Sequence, residues 1–215
     1  MTEITIDAPT AAVSASLHGA GGTCLVLGHG AGGNRRSPFL VRCAEALAAN
    51  GRSVLLYNFP YTEQRRKAPD PPAVLEASVA AVAKAARERA DKIVLGGKSL
   101  GGRIASQAAA QGLACDGLVF LGYPLHPPGK PERLRDAHLP HITAPLLFLQ
   151  GTRDVFARWD LIERVVAGLG ERALLVRFDE ADHSFAVPRR SGLSAKDVEA
   201  RLVEETLGWL EARGL

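Results

Sequence analysis

A serine held between glycines at the end of an apolar run is the first feature with chemical meaning in this sequence. Leu95-Gly96-Gly97-Lys98-Ser99-Leu100-Gly101-Gly102-Arg103 leads from an apolar strand pattern through Gly97-x-Ser99-x-Gly101 into a helical segment. That is the context of a nucleophile elbow, a tight turn that lifts a hydroxyl clear of a sheet. A serine hydroxyl attacks poorly unless a base takes its proton, so the turn must place Ser99 where base and substrate both reach it. The glycines are expected because the strained turn leaves little room for a Cβ. The start of the following helix aims backbone N–H groups, that of Leu100 among them, at a developing oxyanion. Gly-Lys-Ser also ends a phosphate-binding loop, but the glycine required five positions earlier is Lys92, inside the strand. A Gly-rich turn without catalytic use is the remaining alternative.

The other parts of an acyl-transfer site occur in a compatible order. Gly28-His29-Gly30-Ala31-Gly32-Gly33 follows an earlier apolar run and is expected to supply a second oxyanion donor, the Ala31 N–H first and the Gly32 N–H as fallback, with His29 ordering the loop. Leu147-Phe148-Leu149-Gln150-Gly151-Thr152-Arg153-Asp154 places a carboxylate one turn past a strand, where Asp154 would hold an imidazole in the right tautomer. The preceding strand end, Gly122-Tyr123-Pro124-Leu125, offers no carboxylate. Asp182-His183-Ser184-Phe185 lies between the last strand and the last helix, so His183 is the candidate base. A lone histidine is more often structural; the order Ser99, Asp154, His183 reverses that reading. Arg153 is expected in a structural ion pair. His18, His138 and His141 read as surface residues, and His126, after a strand end, as a pocket residue.

These groups need an α/β scaffold. Ile4 and Ile6, then Val13, Ala15 and Leu17, alternate with polar residues and predict an antiparallel edge hairpin. Cys24–Leu27, Ser53–Tyr57, Lys92–Leu95, Leu118–Leu121, Pro145–Leu149 and Ala173–Phe178 are continuous apolar runs, as in parallel strands covered on both faces. Asp70 is the expected N-cap of a helix carrying Val74, Ser78, Ala81, Val82 and Ala85 on one face; Val198, Leu202, Val203, Thr206, Leu207 and Leu210 predict a last helix docked on the sheet. The expectation is one domain over 1–215, a mostly parallel twisted sheet of about seven to eight strands with helices on both faces.

Composition narrows the function classes. Hydrophobic residues at 47% and charged residues at 23% are ordinary globular usage and exclude a disordered chain. A net charge of +3 without a dense basic run argues against nucleic acid. No apolar window is long enough to span a membrane and no Sec-type leader is evident. Cys24, Cys43 and Cys115, odd in number and widely spaced, fit neither a disulfide framework nor a metal site, so a reducing cytoplasm and no cofactor are expected. Arg35 and Arg36, with Arg65, Arg66 and Lys67, are candidates to pair with an anion on a small-molecule substrate, against the alternative of a solvated surface. Lys98 is a candidate for the same role, or for pairing with a nearby acid. Tyr61, Tyr123, Phe156 and Trp159 are candidates for an apolar wall, with core packing the default for the last two.

Together these motifs resemble the α/β-hydrolase superfamily, dienelactone hydrolases in particular. Gly28-His-Gly-Ala-Gly-Gly, Asn58-Phe-Pro-Tyr, Gly96-Gly-Lys-Ser, Gly122-Tyr-Pro-Leu-His-Pro-Pro-Gly-Lys-Pro, Gly151-Thr-Arg-Asp and Asp182-His-Ser-Phe more closely resemble a hydrolase-like family. It is shared by bacterial proteins, a testis-expressed protein and a subunit of a chromatin-modifying complex. The superfamily resemblance implies hydrolysis of an ester, thioester or small amide through an acyl-serine; the closer one also includes members that act as scaffolds, so a binding module without turnover is the competing reading. The stretch Tyr123–Ala144, where this superfamily often inserts a lid, is short and holds five prolines, so no cap and an exposed Ser99 are expected.

Overall fold

The computed structural model describes all 215 residues. Eight strands form one sheet: β1 (Thr2–Ile6), β2 (Val13–His18), β3 (Thr23–Gly28), β4 (Ser53–Tyr57), β5 (Lys92–Lys98), β6 (Gly117–Leu121), β7 (Leu146–Gly151) and β8 (Ala173–Phe178), in the order β1-β2-β4-β3-β5-β6-β7-β8. β1 and β2 pair antiparallel, as does β2 with β4; every later pair is parallel. The helices are α1 (Pro38–Ala49), a single turn α2 (Pro60–Glu63), α3 (Pro72–Arg87), α4 (Leu100–Ala110), α5 (Trp159–Gly168) and α6 (Ala195–Ala212).

Successive strand residues face opposite layers. Cys24 and Val26 pack with Leu75, Val79, Ile104 and Ile162 of α3, α4 and α5, whereas Leu25 and Leu27 pack with Leu40, Leu47, Leu202 and Leu210 of α1 and α6. Two cores, one on each face, are why these strands are apolar without alternation. The chain leaves β3 toward β4 on one side and returns to β5 on the other, so the strand order reverses at β3 and β5. In an open α/β sheet, ligands gather at the carboxyl ends of strands at such a point, here Gly28 and Lys98.

Expectations for three elements, β8, α3 and α6, change. β8 is the outermost strand and is partly open on both faces, with Leu174 43% exposed on one and Arg177 exposed on the other. The buried stripe of α3 is Leu75, Ser78, Val79, Val82, Ala83 and Ala86, one residue out of phase with the expected set. Its N-cap is Pro71, since Asp70 accepts a hydrogen bond from Arg66 instead. In α6, Trp209 joins the buried face and Leu207 lies at its margin. Between β6 and β7 the only regular structure is a 3-10 turn, Leu139–His141, so no helical lid covers the carboxyl edge. No helix is long and apolar enough to cross a membrane.

Candidate active site

Ser99 sits between β5 and α4 with φ 50° and ψ −111°, a conformation that costs a non-glycine residue about 1–3 kcal/mol. Contacts on both sides hold it there: its N–H donates to Leu121 O at 3.3 Å, and its carbonyl accepts from Arg103 N–H at 3.1 Å. The glycines around it have specific causes. A Cβ on Gly97 would lie 2.1 Å from Gly28 O and one on Gly101 2.2 Å from the same atom, so the elbow rests directly on the backbone of β3. A Cβ on Gly96 would meet Val119 O of β6 at 2.0 Å.

The structure brings Ser99, His183 and Asp154 into one hydrogen-bonded chain. Ser99 Oγ lies 2.8 Å from His183 Nε2, and His183 Nδ1 lies 2.7 Å from Asp154 Oδ2. An ionised carboxylate only accepts, so Nδ1 carries the hydrogen and Nε2 presents its lone pair to the serine hydroxyl. The Asp154 side chain is fully buried and receives two further donors, Gln150 Nε2 at 2.6 Å and Phe156 N–H at 2.7 Å. Gln150 in turn accepts the Tyr123 N–H at 2.8 Å, tying the acid to the end of β6. Sequence reasoning passed over Gln150; the signal was there, a polar side chain closing the run Leu147-Phe148-Leu149.

The loops bearing Asp154 and His183 are locked together. Arg153 N–H donates to Ala181 O at 2.9 Å, Glu180 N–H to Thr152 Oγ1 at 2.9 Å, and a Cβ on Gly151 would strike Ala181 O at 2.3 Å. Phe156 packs against the imidazole, ring centroids 4.4 Å apart, and is the one proposed wall residue that meets it.

On the other side of Ser99, the turn after β3 is organised by His29. Its ring is fully buried, which pushes its pKa down and keeps it neutral. Nδ1–H donates to Gly30 O at 2.8 Å, while Nε2 accepts from Phe59 N–H at 3.3 Å and the Thr62 hydroxyl at 3.1 Å. Gly33 N–H also donates to Gly30 O, at 3.0 Å. In a trans peptide the carbonyl and the next N–H point opposite ways, so pinning Gly30 O turns the Ala31 N–H away from His29, and that N–H has no partner within the protein. A Cβ on Gly30 would come 3.6 Å from Ser99 Cβ, so this turn lies against the serine. Leu100 N–H, at the first turn of α4, has no intrahelical acceptor.

The family model for the alpha/beta hydrolase domain matches residues 21–211. The chain belongs to this family. Its fold is that of a lidless serine hydrolase from Xanthomonas campestris (TM-score 0.75, 20% identity, covering 97% of this chain and 94% of that one). Equally similar is a dienelactone hydrolase from Anabaena variabilis (TM-score 0.75, 21% identity, 98% and 96% covered). Est1E from Butyrivibrio proteoclasticus, in a structure holding ferulic acid, superposes with a TM-score of 0.70 at 16% identity over 95% and 98% of the chains. At such identities the likeness shows the fold alone.

Several residues of this alpha/beta hydrolase stand elsewhere than the sequence suggested. Arg35 is buried and turned away to Glu3 of β1, Nη1 to Oε1 3.0 Å, while its N–H donates to Asn58 Oδ1 at 2.8 Å. Arg36 reaches the same carboxylate at 3.5 Å and is 72% exposed. Arg66 pairs with Asp70, and Arg65 and Lys67 project into solvent. Lys98 neither faces outward nor pairs directly with an acid: Nζ donates to the His183 carbonyl, and burial pulls its pKa down to about 8 against the opposing charges of Asp154 and Asp182. Tyr61 and Tyr123 are core residues. Tyr61 stacks on Phe59 below the turn after β3, and Tyr123 donates its hydroxyl to Arg135 O at 2.7 Å. Trp159 is half-buried beneath the Arg177 guanidinium at 5.3 Å.

Four histidines besides His29 and His183 complete the picture. His126 is a buried clamp rather than a pocket residue, Nδ1–H donating to Pro127 O at 2.9 Å and Nε2 accepting the Arg158 N–H at 2.9 Å. His138 is half-buried, not superficial: Nε2 lies 2.7 Å from Ser106 Oγ, and burial lowers its pKa to about 4. His18 is buried with Nε2 unpartnered, and His141 is exposed as expected. Arg153 is exposed and forms no ion pair; its backbone does the fastening. No group of three His, Cys, Asp or Glu side chains is placed to hold a metal, and the three thiols are free.

Proposed function

We propose that this chain is a serine hydrolase that cleaves a small ester, thioester or amide through an acyl-serine, with Ser99, His183 and Asp154 as the catalytic triad. The unbroken path Ser99 Oγ to His183 Nε2 at 2.8 Å and His183 Nδ1 to Asp154 at 2.7 Å carries this reading. His183 Nε2 takes the hydroxyl proton as Ser99 Oγ bonds to the substrate carbonyl carbon, and the carbonyl π electrons move to oxygen. The N–H groups of Ala31 and Leu100 receive that oxyanion. Collapse expels the leaving group, which takes the proton from His183, and leaves acyl-Ser99. Water then gives a proton to His183 and attacks the acyl carbon; the second collapse returns the proton to Ser99 and frees the acid. Asp154 stays ionised and stabilises the imidazolium in both halves.

The absence of a lid over Ser99 favours small or protruding acyl groups, and three unpaired thiols fit a reducing cytoplasm. The closer resemblance, to the family with testis-expressed and chromatin-complex members, adds no substrate to this reading. Turnover of short 4-nitrophenyl esters tests it. The wild type should hydrolyse them, and Ser99→Ala should lose about 10⁴-fold or more in kcat. Equal rates in the two proteins would overturn the assignment and leave a binding module.

A further inference from the structure

The side chain next to the nucleophile reaches across the site to the backbone of the base. Lys98 closes β5, one residue before Ser99, and its Nζ donates to the His183 carbonyl at 2.5 Å. Gly122, just past the end of β6, leaves the passage open: a Cβ there would stand 3.1 Å from Nζ and 3.6 Å from His183 Nδ1. The ammonium also lies 5.6 Å from the ring centroid of Phe185, two residues beyond His183, and that buried ring packs on Phe39 and Phe178.

The turn that carries His183 closes mostly on itself. Asp182 N–H donates to Ala186 O at 2.9 Å and Phe185 N–H to Asp182 O at 2.9 Å, while Asp182 Oδ1 accepts from the Ser184 and Ala186 N–H groups at 2.8 and 3.0 Å. The Arg153 and Glu180 bonds fasten this turn to the loop of Asp154, so acid and base form one unit. Besides the Ser99 hydroxyl contact, the Lys98 bond is what joins that unit to β5. A displacement of about 1 Å between reacting groups can cost about 10²-fold in rate. Burial lowers the pKa of Lys98 to about 8 while Asp154 and Asp182 oppose the shift, so the group is an ammonium at neutral pH. An ionised donor makes a bond about twice as strong as a neutral one. Withdrawing a charge from water is unfavourable, and here the withdrawn charge is directed at the peptide of the base.

We propose that Lys98 is a positioning residue: by fixing the His183 backbone to the strand that carries Ser99, it keeps Nε2 within hydrogen-bonding reach of the serine hydroxyl. This rests on the serine-hydrolase reading. Lys98→Met removes the ammonium and keeps most of its bulk, and Lys98→Gln keeps a polar end too short to reach the carbonyl. With 4-nitrophenyl butyrate each should lower kcat about 10²-fold and leave KM within about two-fold of the wild type, since Lys98 holds the base and not the substrate. A kcat within about two-fold of the wild type in a folded variant, or a loss carried by KM alone, would overturn the positioning role.

The low-field proton NMR resonance of the His183 Nδ1–H, bonded to Asp154, reads the same tie without substrate. At pH 7 it should be sharp in the wild type and broadened or absent in either variant, and one folded variant suffices for both readings. If the wild type cleaves no ester, the hydrolase reading fails and the resonance alone decides. Its loss in the variant sustains the tie, and an unchanged resonance, or none in the wild type, overturns it.

Discussion

The turn after β3 and the connection after β6 flank β5 on either side, and both approach Ser99 without helix or strand. The first spends its side chains inward: His29 on Gly30, Phe59 and Thr62, and Arg35 on Glu3. What it leaves free is a backbone donor at Ala31. The second spends its backbone and rings, through Tyr123 on Gln150, His126 on Arg158 and His138 on Ser106. Its Arg135 guanidinium donates to the Pro124 carbonyl and forms no ion pair. Each irregular segment is fastened by histidines, His29 in the first and His126 and His138 in the second, so what it offers a substrate is whatever that fastening does not consume.

The seat of the elbow on the end of β3 is the place where the contrast breaks most completely. Gly101→Ala drives a Cβ into the Gly28 backbone, which cannot swing aside as a flexible side chain can. The expected outcome is a loss of several kcal/mol in urea unfolding, together with loss of esterase activity. His29→Ala should act on the turn after β3 alone. With the Gly30–Ala31 peptide no longer oriented, kcat should fall about 10²–10³-fold with KM little changed, as when one oxyanion donor is removed. A fall in KM-linked binding with kcat preserved would contradict that role.

On the other side His138 should govern stability. Its folded pKa of about 4 lies below the ordinary 6.5, so between these values the unfolded chain binds more protons. Stability should therefore decline as pH falls from 6.5 to 4. His138→Gln should flatten that decline and weaken the protein by about 1–2 kcal/mol at neutral pH through the Ser106 hydrogen bond. Denaturant midpoints against pH give both readings. Smallest is Glu3→Gln, which leaves Arg35 without its carboxylate. Glu3 is 44% exposed at the sheet margin, so a loss of about 1 kcal/mol is expected by thermal unfolding.

Much of this arrangement was legible because backbone needs dictate residue types. Glycines at 97 and 101 announce an elbow pressed against a strand, and continuous apolar runs announce strands covered on both faces. Ser99, Asp154 and His183 were named from strand ends in the right order, and the structure sets them in one chain. The charged and aromatic neighbours were less legible, since a sequence does not say which partner a long side chain meets. Arg35 finds Glu3 from 32 positions away, and Lys98 finds a carbonyl 85 positions away. Histidines mislead in the same way, because a neutral imidazole that both donates and accepts is as useful in fastening a loop as in moving a proton. β8 was misread because an apolar run does not disclose that it is the last strand of the sheet.

The central claim is that Ser99 is a nucleophile activated by His183. Mapping the adduct of a fluorophosphonate probe by mass spectrometry tests it most directly. A single adduct on Ser99, absent in Ser99→Ala and formed far more slowly in His183→Ala, is the predicted result. An unlabelled folded protein, or a label on another serine such as Ser106, would contradict it.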